Sequence, residues 1–387
     1  MPVTTDVIAG GPDDFMTVRH LSLSGSQHEI GKALAHEATE RSGWRPRPAD
    51  PVKSRARHAW FARNWPAQYA RNSGAAEVAG VQPDAAVHFD DLSTIPPGSG
   101  CSAVWYSPAA TSEGHGFLGR NYDFFTVGWQ QMLALMSDEP GPTTECPIAS
   151  RPYVITSVPD DGPATTIITM NELDGCMDGI NEHGLAVVLL IADAGGANLP
   201  VDGGPQVGLA TTQLPRFLLD TCANVEEAQQ ALLLAKQYDL GAPLHYLIAD
   251  RAGNAFVWEV GAGGVEHIVP AEGLAQCVTN HPLHRPTDPA KPPVDTEETM
   301  YSYARLDTLR ARAESAPLSA NELRTSLDSV ALTSEPTAKY PLRTLWRTVF
   351  NLDERTMTTR FYLGDDSRSV PAYSPEFTFR PELTSTS

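Results

Sequence analysis

The sequence is short of positive charge: 28 Lys and Arg stand against 47 Asp and Glu, a formal net charge of -19 at pH 7. Phosphate backbones and anionic membrane surfaces are attracted by clustered Lys and Arg, so this balance repels both. Nucleic acid and membrane are excluded as main partners. Cysteine is scarce too, with five residues at positions 101, 146, 176, 222 and 277 and no CxxC pair. An odd, scattered set cannot be fully bridged and lacks metal-ligand spacing. No long apolar run exists either. The longest, GLAVVLLIA from Gly184 to Ala192, is too short to cross a bilayer and reads as a buried strand. The first residues, MPVTTDVIAGGPDDF, lack the basic start and apolar stretch of a secretion signal, so a cytoplasmic protein is expected. There is no GxSxG elbow, which removes support for a serine α/β-hydrolase.

What is present is an ordinary globular composition, 387 residues with 41% hydrophobic and 19% charged, enough for one large domain or two smaller ones. GSQHEIGKALAHEATERSG, residues 25–43, starts at a Gly-Ser turn and spaces Ile30, Leu34 and Ala38 on one face, which predicts a helix. The three prolines of residues 44–55 predict loop. RHAWFARNWPAQYA then predicts an aromatic-rich helix interrupted at Pro66. From Cys101 onward come short strand-like runs: SAVWYS, HGFLGRNYDFF, PYVITSV, ATTIITM, GLAVVLLIA, HYLIADRAG and AFVWEVG. Among them lies one helix, NVEEAQQALLLAKQ, with Asn224 as N-cap and Glu227 completing a near capping box. Strands grouped apart from helices imply a layered α+β fold. Residues 281–298 form a Pro-rich loop of the kind that is often functional.

Three motif matches lead nowhere. Gly114, Gly116 and Gly119 spell GxGxxG, but the chain continues as strand where a dinucleotide site needs a helix. Gly25 to Lys32 imitates a phosphate loop with one residue too many, and Ala33 stands where a metal-binding hydroxyl belongs. His281 and His284, with Asp288 nearby, have the residue types of a metal site but read as surface or pocket-mouth residues.

Four of the cysteines read as small buried apolar residues. Cys101 stands apart, because it follows PPGSG and heads a predicted strand. Cutting the bond between Gly100 and Cys101 would make the cysteine a chain terminus with its own base. A free α-amine has a pKa of about 7.7 to 8.0 and a thiol about 8.5, so each can exchange a proton with the other near neutrality. The thiol itself can attack the Gly100 carbonyl. Glycine there has no Cβ to block the approach, and Gly98 adds backbone freedom.

GCSAVWYSPAATSEGHGFLGRNYDFF, residues 100–125, resembles the processing and active-site segment of the N-terminal-nucleophile hydrolases related to isopenicillin N acyltransferase, within the wider choloylglycine hydrolase and penicillin V acylase group. In order along the chain, GSQHEIGKALA, DGINEHGLAVVLL, HYLIADRAGNAFVWEVG, VTNHP and RTLWRTVFNLDERTMTTRFYLG resemble further segments of that family. The resemblance implies a four-layer αββα sandwich. It makes residues 1–100 a propeptide-like α fragment retained after cleavage and 101–387 the catalytic β fragment, together one composite domain. Asp123 matches the aspartate that orients the new α-amine, and Asn280 the asparagine whose amide helps hold the oxyanion. Arg120 matches an arginine near the thiol. It is either a catalytic neighbour or half of a structural ion pair, and strand parity demands a bend or bulge if Arg120 and Asp123 are both to reach Cys101. Arg343 matches a C-terminal arginine of the acyltransferase branch. Trp105, Tyr122, Phe124, Phe125 and Trp129 are candidates for an acyl pocket, though aromatic runs also serve as plain core. The chain departs from the bile-salt and penicillin V enzymes in offering Leu or Ile where they carry an asparagine, at the end of AVVLLIAD.

The expected protein is an autoprocessed cysteine amidohydrolase acting on a linear N-acyl amide through a Cys101 thioester, with acyl transfer to an amine as a further outcome. No metal or organic cofactor is implied. The partners expected are a small-molecule N-acyl amide and the two fragments bound to each other as a heterodimer. The alternatives are a catalytically silent protein of the same fold that holds an acylated ligand, and a papain-like Cys/His pair.

Overall fold

The strands around Cys101 do not alternate between buried and exposed positions. Every residue of Gly100–Tyr106 and of Phe117–Phe125 is buried, so both faces of these strands must be covered by other layers. The computed structural model supplies those layers. It describes residues 3–89, 100–137, 141, 145–170, 175–192, 207–238, 244–260, 265–285, 293–315, 318–333 and 339–383; Gly98 and Asp288 lie outside the described residues.

Among the described residues, one sheet has nine strands in the order Val3–Ala9, Val18–Gly25, Tyr153–Pro159, Thr165–Thr169, Asp178–Asn181, Ala186–Ile191, Leu244–Ala249, Ala255–Val260 and Glu266–Pro270. All its neighbours are antiparallel except Val18–Gly25 and Tyr153–Pro159, which run parallel. A second sheet of seven strands runs Ala275–Val278, Gly100–Tyr106, Phe117–Phe125, Leu342–Asn351, Thr356–Asp365 and Pro371–Tyr373, with Phe377–Phe379 also pairing with Thr356–Asp365. The sheets meet where Ala186–Ile191 packs on Gly100–Tyr106. Helices Gln27–Ser42 and Leu214–Thr221 cover the outer face of the first sheet, and Ser302–Ala313 and Ala320–Asp328 cover the second. The result is the four-layer αββα sandwich that the family resemblance implied, with its main core between the sheets.

The first hundred residues are woven into this sandwich. They supply two strands of the nine-stranded sheet and three helices, Gln27–Ser42, Pro51–Asn64 and Pro66–Ala79. A Cβ on Gly31 would lie 2.1 Å from the Arg71 carbonyl oxygen, and one on Gly74 would lie 2.1 Å from that of His28. Only glycine lets the first and third helices touch backbone to backbone here. Arg71 then donates to Gln27 Oε1, Gln68 Oε1 and Asp220 Oδ2, tying these helices to Leu214–Thr221. Arg57 adds a 2.8 Å bond to Gln213 Oε1.

One expectation needs correcting: residues 44–55 are not all loop. A helix begins at Pro51, because proline lacks only an N–H that the first helical turn cannot use. Asp50 caps it, its Oδ1 accepting from the Val52 and Lys53 N–H groups at 3.0 and 2.8 Å. The interruption at Pro66 and the Asn224 capping box form as predicted, with Ala223 N–H donating to Glu227 Oε2 and Glu227 N–H to Asn224 Oδ1.

Candidate active site

The pairing of Gly100–Tyr106 with Phe117–Phe125 is regular throughout: Gly100 faces Asp123, Cys101 faces Tyr122 and Ala103 faces Arg120. The bulge that strand parity demanded is absent from this ladder. Residues opposite each other share a face, so Arg120 and Tyr122 lie with Cys101 on the face toward the other sheet, while Asp123 lies with Gly100 on the helix-covered face. Cys101 is therefore flanked from two sides, its thiol by Arg120 and its backbone by Asp123. The register shift that does occur is in the next strand, between Thr344 and Trp346.

On the thiol side, Arg120 Nη2 lies 3.1 Å from Cys101 Sγ. Its Nη1 donates to Asp178 Oδ1 at 2.5 Å, and Asp178 Oδ2 accepts from Trp346 Nε1 at 2.6 Å and Thr348 Oγ1 at 3.2 Å. Both partners of this ion pair are fully buried. Burial works against the guanidinium's charge, but Asp178 outweighs it and raises the pKa, so Arg120 stays a cation. The Cys101 thiol is pushed up by its own burial, with Asp123 adding to the rise and Arg120 pulling down. Tyr122 stacks on Trp346 at 3.8 Å, and its hydroxyl donates to Met170 Sδ.

On the nitrogen side, the strand Ala275–Val278 ends with Val278 opposite Ala103, and the chain beyond it carries Asn280 alongside Cys101. The Cys101 N–H donates to Asn280 Oδ1 at 2.8 Å, and Arg305 Nη2 donates to the same oxygen at 2.6 Å. Two donors at Oδ1 orient the amide, so Nδ2 turns to the Ile191 carbonyl at 3.0 Å. Ile191 ends its strand, and its carbonyl is the acceptor beside the amide. Asp123 Oδ1 accepts from Thr344 Oγ1 at 2.5 Å. Its Oδ2 is buried without a hydrogen-bond partner among the described residues, 3.9 Å from Arg305 Nη1. Burial raises the Asp123 pKa, while Arg305 and Thr344 oppose the rise.

Gly100 is closely surrounded by side chains. A Cβ there would lie 2.8 Å from Leu332 Cδ1, 3.2 Å from Met300 Sδ and 3.3 Å from Asp123 Cβ.

Arg305 was not found from the sequence. It lies in the helix Ser302–Ala313, and its Nη1 donates to the Cys101 carbonyl oxygen at 2.6 Å and to Ser102 Oγ at 2.7 Å. Its Nε donates to the Met300 carbonyl. Met300 and Tyr301 both have positive φ, 54° and 51°, and two such residues in succession cost backbone strain that the surrounding contacts must offset. Arg343 makes a bidentate pair with Asp365, Nε to Oδ1 at 3.1 Å and Nη2 to Oδ2 at 2.6 Å. Trp105, Phe124 and Phe125 are buried in the main core, and Trp129 packs on it. His281 shares a 2.8 Å contact with Ser302 Oγ, and His284 Nδ1 one of 2.6 Å with Glu259 Oε2. Among the described residues no cluster suited to a metal occurs, and no helix is long and apolar enough to cross a membrane.

Comparison with known proteins gives a family and several solved structures. The family described as acyl-coenzyme A:6-aminopenicillanic acid acyl-transferase matches residues 110–367. Penicillin V acylase from Agrobacterium tumefaciens is similar at 17% identity, covering 70% of this chain and 84% of that one, with a TM-score of 0.44. A mutant conjugated bile acid hydrolase from Clostridium perfringens shares 15% identity over 72% of this chain and 96% of its own, at 0.41. The Caenorhabditis elegans ortholog of N-acylethanolamine-hydrolyzing acid amidase shares 14% over 65% and 93%, at 0.38. No curated protein sequence matches the chain.

Proposed function

Because the chain belongs to the acyl-coenzyme A:6-aminopenicillanic acid acyl-transferase family, we propose that it is a self-processing cysteine amidohydrolase of linear N-acyl amides, with acyl transfer to an amine as a second outcome. The nucleophile is Cys101. In processing, Sγ bonds to the Gly100 carbonyl carbon, the Gly100–Cys101 C–N bond breaks, and the thiol proton passes to the departing nitrogen. Water then cleaves the thioester, leaving a Gly100 carboxylate, a free thiol and the Cys101 α-amine. In turnover the amine takes the thiol proton and delivers it to the leaving amine of the substrate, and water or a second amine takes the acyl group from sulfur.

The observation that carries this reading is the set of contacts on one residue. The Cys101 thiol meets a cation that favours its thiolate, Arg120 at 3.1 Å, and its nitrogen is held by Asn280 at 2.8 Å. Asp123 Oδ2, buried and without a hydrogen-bond partner among the described residues, belongs to the residue opposite Gly100. A buried carboxylate oxygen whose ion pair with Arg305 Nη1 is as long as 3.9 Å leaves room for a closer donor, and an α-amine released at Cys101 supplies one. Asp123 thus orients the amine, Arg120 favours the thiolate, and Asn280 with Arg305 fixes the Cys101 backbone. Residues 1–100 remain bound after the cut. Tyr122, opposite Cys101 on the face toward the other sheet, borders the acyl group.

Denaturing electrophoresis with N-terminal sequencing of the larger band tests processing. Two bands of about a quarter and three quarters of the chain, the larger starting at Cys101, are expected. Mass detection of an acylated Cys101 against a panel of N-acyl amino acids, penicillins and bile-salt conjugates tests turnover. The burial of Cys101, 1% exposed, also suits a silent protein that holds an acylated ligand. That reading predicts one band and no labelling of Cys101 by iodoacetamide.

A further inference from the structure

Beyond the residues that touch Cys101, a second buried polar cluster holds the segment that carries Asn280. His245 and Glu259 face each other on neighbouring strands of the nine-stranded sheet, and both are essentially unexposed. His245 Nδ1 lies 2.9 Å from Glu259 Oε1 and its Nε2 lies 2.6 Å from the Thr279 carbonyl oxygen. Both ring nitrogens thus lie within hydrogen-bond distance of an oxygen. Glu259 also accepts from Leu283 N–H at 2.8 Å and from His284 N–H at 3.0 Å, and its Oε2 lies 2.6 Å from His284 Nδ1.

These contacts bracket Asn280 along the chain. The carbonyl just before it is held by His245, and the N–H groups three and four residues after it by Glu259. Its own N–H donates to Ser302 Oγ at 2.7 Å. The turn belongs to a segment that leaves the seven-stranded sheet, yet its anchors stand on the nine-stranded one. Burying an ionic pair costs several kcal/mol of desolvation that an apolar pair of similar volume would not. Bonds to three backbone groups around a single asparagine, the Thr279 carbonyl and the Leu283 and His284 N–H groups, are what this pair provides in return, and a misplacement of 1 Å can cost about a hundredfold in rate.

We propose that Glu259 and His245 are positioning residues that set the place of Asn280 against the Cys101 nitrogen by pinning the 279–284 turn from the opposite sheet. The inference rests on the reading of Asn280 as part of the catalytic set. Glu259→Gln tests it, because the amide keeps the volume but puts an NH2 group in place of the oxygen that accepts from either Leu283 or His284. In folded Glu259→Gln, kcat for an N-acyl amide is expected to fall at least about tenfold while KM stays within about threefold. Glu259→Asp, which retains the carboxylate, should recover part of the loss. A wild-type kcat in folded Glu259→Gln, or a loss lying wholly in KM, overturns the proposal. His284→Ala removes one contact at a partly exposed position and carries the test if Glu259→Gln does not fold. It should lower kcat two- to fivefold with an unchanged melting temperature, and no change in kcat is the contrary result. A crystal structure of either variant reads the coupling without substrate: the Asn280 Oδ1 to Cys101 N separation should exceed 3.5 Å, and an unmoved Asn280 overturns the inference. If wild-type protein turns over no amide, the proposed function fails and this structural arm still decides the coupling.

Discussion

Arg305 donates to the carbonyl oxygen of Cys101 at 2.6 Å across 204 residues of sequence. The same guanidinium reaches Asn280 Oδ1, Ser102 Oγ and the Met300 carbonyl, so one planar group ties the candidate nucleophile to the asparagine that holds its nitrogen. Lysine cannot replace it, since an ammonium is a point donor without the spread of the fork. Arg305→Lys is expected to lower kcat by about a hundredfold or more, because acceptors buried around it lose their partners. Steady-state kinetics on the folded variant checks this, and a loss of less than about threefold would show that the fork is dispensable.

Gly100→Ala should slow the proposed cut before Cys101. The added Cβ meets Leu332 Cδ1 at 2.8 Å and crowds Met300 Sδ and Asp123 Cβ, and overpacking of this kind costs about 1 to 3 kcal/mol. Leu332 Cδ1 ends a flexible side chain and can yield, so accumulation of uncut chain is expected instead of failure to fold. A time course on denaturing gels measures it.

Arg120→Met should raise the thiol pKa further, since Arg120 is the cation that pulls it down. At a fixed pH between 7 and 9 the thiolate fraction then falls, and alkylation of Cys101 by iodoacetamide slows. The same change strands the buried Asp178 carboxylate, so a loss of about 3 to 5 kcal/mol in stability is expected alongside. Alkylation rates against pH, together with thermal unfolding, separate the two effects.

Acid should weaken the fold in two stages. Burial, aided by the charges of His245 and Arg310, pushes His281 down from 6.5 to about 4. Below pH 6.5 the unfolded chain takes that proton first, so stability falls between pH 6.5 and 4. Burial would raise Glu259, but the hydrogen bond and charge of His245 and the N–H groups of Leu283 and His284 prevail and hold it at about 2 against an ordinary 4.5. Its contribution is complete above pH 4.5 and is lost between pH 4.5 and 2. Denaturant titrations from pH 7 to 3 should show the decline starting above pH 5. His281→Asn should remove the first stage and leave the second.

The layers and most of the strands were legible because their signals are local. SAVWYS, ATTIITM and GLAVVLLIA are each apolar over the length of a strand, and Asn224 with Glu227 spells a helix start within four residues. Pro51 misled because proline breaks a helix anywhere except its first turn, and only Asp50 before it reveals which case applies. The candidate site was legible where a motif carried it, at Cys101, Arg120, Asp123 and Asn280. Arg305 was not, since nothing in SYARLDTL points to a carbonyl 204 residues away. Asp178, His245 and Glu259 stand inside segments quoted for their strands, but their roles arise from pairings across strands and sheets that spacing does not display. Parity on a single strand suggested a conflict between Arg120 and Asp123. It disappears once the thiol and the backbone of one cysteine are approached from opposite faces.

The strand Val18–Gly25 lies wedged between Val3–Ala9 and Tyr153–Pro159. An affinity handle fused ahead of Val3 would therefore still retrieve the thiol-bearing piece after scission. A preparation that separates into two species under denaturing conditions should elute from a sizing column as one.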